Sequence, residues 1–194
     1  MKKKACPTTL MLAIAVMELG LSWPRSAWAA SREITYSVAF RGSIVADRPT
    51  FAHTVAKVYA DPRGWSLHDQ LVFREVQTGG DFTIWLATPD EMKSFSSACS
   101  TVWSCRSGRN VVINEARWVY GSPFWYGKLD DYRAMIINHE TGHWLGLDHE
   151  ACAGAGLPAP VMMQQSEGPA PCANNSWPLA NERAAVAKSL GLTP

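Results

Sequence analysis

The segment His139-Glu-Thr-Gly-His143-Trp-Leu-Gly146-Leu-Asp-His149 decides how this chain folds and what it can bind. It matches the pattern H-E-x-x-H-x-x-G-x-x-H at every position. Residues four apart on a helix share a face, so the first two histidines can bind one metal ion. Gly146 can adopt the left-handed conformation that ends a helix, and His149 can then return as a third ligand. Glu140 falls beside the metal rather than on it, where a general base must lie.

These three histidines predict a Zn²⁺ site of the catalytic kind, because three protein ligands leave a fourth position for water. Zinc lowers the pKa of a bound water toward about 7 and polarises a carbonyl, while Glu140 can accept the water proton and pass it to a leaving amine. The alternative interpretation is a helix with surface or hydrogen-bonded histidines. Three of the five histidines lie in this one segment, and this clustering disfavours the alternative interpretation. Asp148 and Glu150 flank the third histidine and either bind imidazoles or are solvated.

The segment resembles the zinc signature of the metzincin metallopeptidases. That resemblance implies hydrolysis of peptide bonds and a methionine in a tight turn beneath the metal, downstream of the third histidine. Pro160-Val161-Met162-Met163 follows the motif across a Gly-, Ala- and Pro-rich loop. Met162 is our choice for the Met-turn residue and Met163 is the alternative, and either could instead be ordinary core packing.

A broader resemblance is to a family of secreted bacterial domains of unknown function that carry a zincin-like motif. It implies a metzincin-like fold but no particular substrate. In metzincins an edge strand pairs with extended substrate, and residues 82–87 are the candidate for that strand. The matching landmarks are Phe51-Ala-His-Thr-Val, Asp61-Pro-Arg-Gly-Trp65, Cys99, Ser104-Cys105-Arg106, Asn114-Glu-Ala-Arg117-Trp118, Tyr132-Arg133, Asn138, Ala159-Pro-Val-Met162, Cys172 and Asn175-Ser-Trp177-Pro178.

The N-terminal residues 1–29 have the features of a secretory signal peptide. Lys2, Lys3 and Lys4 precede a mostly apolar run over residues 10–21, and Ala27-Trp28-Ala29 offers a small-residue cleavage site. The run is short for a membrane span, so an uncleaved anchor is the less favoured interpretation. We therefore expect a secreted, extracellular or cell-envelope protein, without stable membrane insertion, whose residues 30–194 form one domain.

Cysteine usage agrees with export. Five cysteines are present, one of which lies in the predicted signal. The remaining four form an even set, as in disulfide-bonded secreted domains. Three pairings are open, and sequence proximity favours Cys99–Cys105 and Cys152–Cys172. Cysteine ligands to zinc are disfavoured, since the chain has no C-x-x-C spacing.

The order of predicted elements favours an α+β zincin-like fold, with a mixed sheet over the active-site helix and a small, irregular, disulfide-stapled C-terminal part. Thr78-Gly79-Gly80-Asp81 predicts a hairpin between its flanking strands, and Asp130 is a candidate N-cap of the zinc helix. Trp125 and Tyr126 are candidates for lining the cleft. Strands are predicted at 34–40, 71–76, 82–87 and 110–114, and helices at 49–60, 130–145 and 178–190.

The sequence predicts that the protein is a secreted zinc-dependent endopeptidase, and it leaves two alternatives open. One is a zinc-stabilised extracellular binding module without turnover, and the other is a zinc amidase acting on cell-wall amide bonds. The expected partner is a protein or peptide substrate. Without residues 1–29, 14 basic and 16 acidic residues remain, and the resulting formal charge of about −2 gives no sign of a nucleic-acid surface. We also expect a monomer.

Overall fold

The computed structural model describes residues 31–192, so the predicted signal at residues 1–29 lies outside the described residues. Within these described residues, ten elements follow one another. They are β1 (Arg32–Arg41), α1 (Arg48–Ala60), β2 (Leu71–Glu75), β3 (Phe82–Ala87), a 3₁₀ helix (Pro89–Ser94), β4 (Cys105–Ser107), β5 (Asn110–Asn114), α2 (Glu115–Tyr120), α3 (Leu129–Trp144) and α4 (Ala180–Leu190).

The strands form a five-stranded mixed sheet in the order β2-β1-β3-β5-β4. Neighbours among β2, β1, β3 and β5 run parallel, and only β4 pairs antiparallel, with β5. The hairpin expected between β2 and β3 is therefore wrong, because β1 lies between them and pairs with both. Gly80 explains part of this geometry: a Cβ there would come within 2.8 Å of the backbone of Tyr36 in β1, so the linker passes close over that strand.

Helix α1 begins where its sequence provides a cap. The Asp47 side chain accepts a hydrogen bond from the backbone N–H of Thr50, and Pro49 occupies the first turn, where its missing N–H costs nothing. The helix buries Phe51, Val55 and Val58 on one side. That side faces the sheet and packs beside α3, so the two helices form the layer beneath the strands.

Helix α3 carries the H-E-x-x-H segment through the centre of the core. Ten of its sixteen residues are buried, which is why its sequence lacks a simple one-sided apolar pattern. Its N-cap is Lys128 rather than Asp130, so that prediction is wrong. Asp130 instead lies in the first turn, where it forms an ion pair with Arg133.

An aromatic cluster joins the sheet to the helices. Tyr36 of β1 packs edge-on against Tyr59 of α1 with ring centroids 4.9 Å apart. Phe82 of β3 lies 4.5 Å from the ring of Trp144 at the end of α3. Trp144, which occupies a spacer position of the motif, therefore packs the end of α3 against the sheet.

The C-terminal part is irregular between α3 and α4. A disulfide joins Cys152 to Cys172, and an isolated bridge pairs Pro158 with Ala173. Together with the sheet above α3, this arrangement confirms the α+β class with a small stapled C-terminal region. Within residues 31–192, no helix combines the length and apolar character needed to cross a bilayer.

Candidate metal centre

Helix α3 places His139, Glu140 and His143 at the floor of a cleft. His139 and Glu140 are buried, and His143 is partly buried. The four-residue spacing puts the two imidazoles on one face, with ring centroids 4.7 Å apart.

The chain reverses immediately after α3. Gly146 has φ of 97°, and the N–H of Leu147 donates to the carbonyl of Gly142 while the N–H of Gly146 donates to that of His143. These two bonds define a Schellman motif, in which a residue of positive φ ends the helix. The reversal carries His149 back toward the helix, as the motif glycine predicts.

The three imidazoles converge within the described part of the chain. One ligand nitrogen from each of His139, His143 and His149 lies within 4.8 Å of the other two. The Nε2 atoms of His143 and His149 are 3.1 Å apart. Two nitrogens bound at about 2.0–2.1 Å to one tetrahedral zinc ion would be about 3.3 Å apart. The donor set and its spacing therefore fit a metal ion.

Backbone carbonyls orient two of the imidazoles. Nδ1 of His139 donates to the carbonyl of Val161, and Nδ1 of His143 donates to that of Leu147, each over 2.8 Å. A carbonyl can only accept, so the proton sits on Nδ1 and leaves the Nε2 lone pair free to bind a metal. The supporting groups are thus main-chain atoms, and the structure gives no such role to the flanking acids, Asp148 and Glu150.

The surroundings also favour the uncharged form of His139 and His143. Burial, reinforced by the neighbouring His143, lowers the pKa of His139 to about 3, although its bond to Val161 opposes that shift. Burial likewise lowers the pKa of His143. A neutral imidazole is the form that coordinates a metal, so both of these side chains are in the form that can bind one near neutral pH.

Glu140 has an unusual environment for a carboxylate. It is 6% exposed, it borders the cleft, and no described residue donates a hydrogen bond to it. Burial raises its pKa to about 8, and the positive charge of Arg106 opposes that rise. A buried carboxyl that is turned to a cavity rather than to a partner is suited to proton transfer.

Met162 lies beneath the helix, which favours it over Met163 as the Met-turn residue. It is fully buried, whereas Met163 is partly exposed. A Cβ added at Gly142 would lie 2.3 Å from the Met162 sulfur and 3.1 Å from the ring of Trp65. Gly142 therefore lets the methionine sit directly against the helix between the first two histidines. The motif gives Gly142 only as a spacer position, but a glycine inside a helix is itself a sign of close packing.

The cleft above these residues has a volume of about 330 Å³. The edge strand β4, including Arg106, forms one wall, and residues 164–167 of the turn after Met162 form another. A disulfide between Cys99 and Cys105 ties the preceding loop to the start of β4. Both disulfides are the pairs that sequence proximity favours.

Two sequence predictions about this cleft are wrong. Strand Phe82–Ala87 is not an edge strand, because β1 and β5 flank it on both sides. The edge strand that borders the cleft is β4, whose three residues are too few to give a strand pattern. Trp125 and Tyr126 do not line the cleft. Instead Trp125 donates its indole N–H to the carbonyl of Lys128, and Tyr126 borders a separate groove.

The fold is metzincin-like. It is similar to the crystal structure of archaemetzincin from Methanopyrus kandleri, with a TM-score of 0.52 and 12% sequence identity, over 82% of this chain and 96% of that one. The chain belongs to the family described as "Protein of unknown function (DUF3152)", whose model matches residues 22–182. No curated protein sequence matches the chain.

Proposed function

We propose that this protein is a secreted zinc-dependent endopeptidase in which Glu140 is the general base. The observation that carries the proposal is the convergence of three ligand nitrogens within 4.8 Å beside a buried carboxyl that accepts no hydrogen bond from any described residue. A structural metal site has no need of such a carboxyl. The metzincin-like fold supports the same conclusion, and the resemblance of the motif to the metzincin signature supplies the reaction.

In this proposal, His139, His143 and His149 hold the ion. When bound, zinc would supply Lewis-acid polarisation of the scissile carbonyl and acidify a water. The carbonyls of Val161 and Leu147 keep two of the imidazoles in the tautomer whose Nε2 lone pair is free to bind the ion.

The protein's own acid–base work falls to Glu140. Its carboxylate takes a proton from the attacking water as the new C–O bond forms. It then delivers that proton to the amide nitrogen, which leaves as an amine when the C–N bond breaks. No serine or cysteine nucleophile is required, and the four cysteines within residues 31–192 are all in disulfides.

We further propose export, with residues 1–29 as a signal peptide and residues 30–194 as one domain that works as a monomer on protein or peptide substrates and not on nucleic acid. Two disulfides among the described residues support an oxidising compartment. Secretion is checked by N-terminal sequencing of the protein recovered from culture medium.

The test combines metal analysis with a cleavage profile. The purified protein is assayed for bound zinc and for chelator-sensitive cleavage of casein, gelatin, a peptide library and peptidoglycan fragments. Glu140→Ala should keep zinc and lose turnover, whereas Arg74→Ala, at an exposed ion pair on β2, is a control that should leave both unchanged.

Each outcome decides between the hypotheses. Cleavage by Glu140→Ala at the wild-type rate would refute the assigned base. Hydrolysis of peptidoglycan fragments alone would replace the endopeptidase with a cell-wall amidase. Zinc bound without hydrolysis of any substrate would indicate an extracellular binding module.

A further inference from the structure

Glu182 lies outside the motif but is tied to the turn beneath the metal centre. It is the third residue of α4 and is fully buried. One of its carboxylate oxygens accepts hydrogen bonds from the backbone N–H of Val161, at 3.0 Å, and of Leu179, at 2.6 Å. The other oxygen accepts from the N–H of Met162, at 2.8 Å. The bond to Leu179 caps α4, but the other two reach about twenty residues back along the chain.

The dipeptide Val161–Met162, which Glu182 binds, contacts each candidate ligand or a residue next to it. The carbonyl of Val161 accepts from Nδ1 of His139. The side chain of Met162 packs against Gly142, between His139 and His143. The carbonyl of Met162 accepts from the N–H of Glu150, the residue after the third histidine, at 3.2 Å.

We propose that Glu182 is a positioning residue of the metal centre, which fixes the Val161–Met162 backbone and through it the orientation of His139. This inference rests on the proposed metal site and deepens it. The carboxylate makes no hydrogen bond to the ligand side chains and does not border the cleft, so its route to the ligands is the turn. Its carboxyl group receives three N–H donors, which use both oxygens and leave little freedom for the dipeptide to rotate.

A competing explanation is that Glu182 only stabilises the fold. Glu115 provides a matched control for it. Glu115 is also a buried acid in the first turn of a helix, and one of its oxygens accepts from two backbone N–H groups, those of Val45 and Ala46. It does not border the metal cleft. Replacing either carboxylate with an amide removes a buried negative charge, but only the change at Glu182 should alter the metal centre.

The experiment compares Glu182→Gln and Glu115→Gln with the wild type. Glutamine keeps the size of the side chain but replaces one acceptor oxygen with a donor, so at least one backbone N–H at Glu182 loses its partner. We expect Glu182→Gln to bind Zn²⁺ about 10–100-fold more weakly, as other supporting partners of metal ligands do. The visible absorption spectrum of the Co²⁺-loaded protein should also change. Glu115→Gln should match the wild type in both measurements.

A measurement on the metal-free protein separates this inference from the proposed function. The Nδ1–H of His139 should be observable by ¹⁵N NMR in the wild type and in Glu115→Gln, and should exchange with water at least tenfold faster in Glu182→Gln. If the wild type binds no metal, the proposed function fails, while this measurement still decides the role of Glu182.

The proposal is overturned if Glu182→Gln retains the wild-type zinc affinity, Co²⁺ spectrum and His139 exchange rate, or if Glu115→Gln changes them equally. Should Glu182→Gln fail to fold, Glu182→Asp takes its place. Aspartate keeps the charge but withdraws the carboxylate by about one C–C bond, roughly 1.5 Å. The same pattern relative to Glu115→Asp is then expected, and its absence overturns the proposal.

Discussion

Replacing Gly142 with alanine tests whether Met162 packs directly against the metal-binding helix. The added Cβ would lie 2.3 Å from the Met162 sulfur. Ordinary contact needs roughly 3.5–4.0 Å, so the sulfur must retreat by about 1.5 Å. There is little room for that, because Met162 is fully buried and the ring of Trp65 would already lie 3.1 Å from the same Cβ. Trp65 is itself fixed by its indole N–H bond to the carbonyl of Asn138.

The expected energies follow from two opposing effects. Overpacking a filled core costs about 1–3 kcal/mol. Alanine is more favourable than glycine inside a helix by about 1 kcal/mol, so the net loss for Gly142→Ala is only about 0–2 kcal/mol. Met162→Ala alone should cost about 2–5 kcal/mol, since it leaves a cavity. In the double variant the clash with the Met162 side chain is absent, so Gly142→Ala becomes stabilising there by up to about 1 kcal/mol.

Denaturant unfolding of the wild type, both single variants and the double variant gives the coupling between the two sites. We expect the double variant to be more stable than the sum of the single changes predicts by about 1–3 kcal/mol, which is the relieved clash. A sum that is additive within about 0.5 kcal/mol would refute the packing of the methionine on the helix.

Further outcomes are expected from changes in and around the site. His149→Ala should abolish tight zinc binding while shifting unfolding free energy by no more than about 0.5 kcal/mol, because this histidine is exposed; calorimetric titration and urea unfolding check the two parts. In the metal-free protein, Glu140 has a folded pKa of about 8 against an ordinary 4.5, so unfolding releases a proton between these pH values. The titration of His139 has the opposite effect below pH 6.5, so the free energy of unfolding should fall as pH rises from 6.5 to 8. Glu140→Gln should remove that alkaline loss. His139 has a folded pKa of about 3 against 6.5, so unfolding takes up a proton and stability should fall as pH drops from 4.5 toward 3. Replacing both Cys152 and Cys172 with serine should cost about 3 kcal/mol, given their separation of 20 residues, and an unchanged midpoint in urea would contradict this.

The local geometry of the three histidines could be predicted from the sequence more completely than the pairing of the strands. The H-E-x-x-H spacing depends only on helical periodicity, and the return of His149 depends only on a glycine that tolerates φ of 97°, so both could be read locally. Strand Phe82–Ala87 was also placed correctly along the chain. Its neighbours were not, because pairing is decided by distant residues, and a Gly-Gly linker is compatible with a crossover as well as with a hairpin.

Short or backbone-mediated features escaped prediction for a physical reason. Strand β4 has only three residues, which are too few for an alternation of inward and outward side chains to be recognised in the sequence. The partners of His139 and His143 are carbonyls, which every residue possesses, so no residue type marks them. The link from Glu182 to the Met162 turn depends on tertiary contact between segments about twenty residues apart.

The two edge strands of the sheet, β2 and β4, affect how readily the protein aggregates. An unpaired strand edge invites other chains to add to it, and proteins limit this with short edges and charged side chains. At one margin β4 is only three residues long, carries Arg106 and is anchored by a disulfide. At the other, β2 ends in Arg74 and Glu75. Edge-to-edge association between copies of this protein is thereby discouraged at both margins of the sheet.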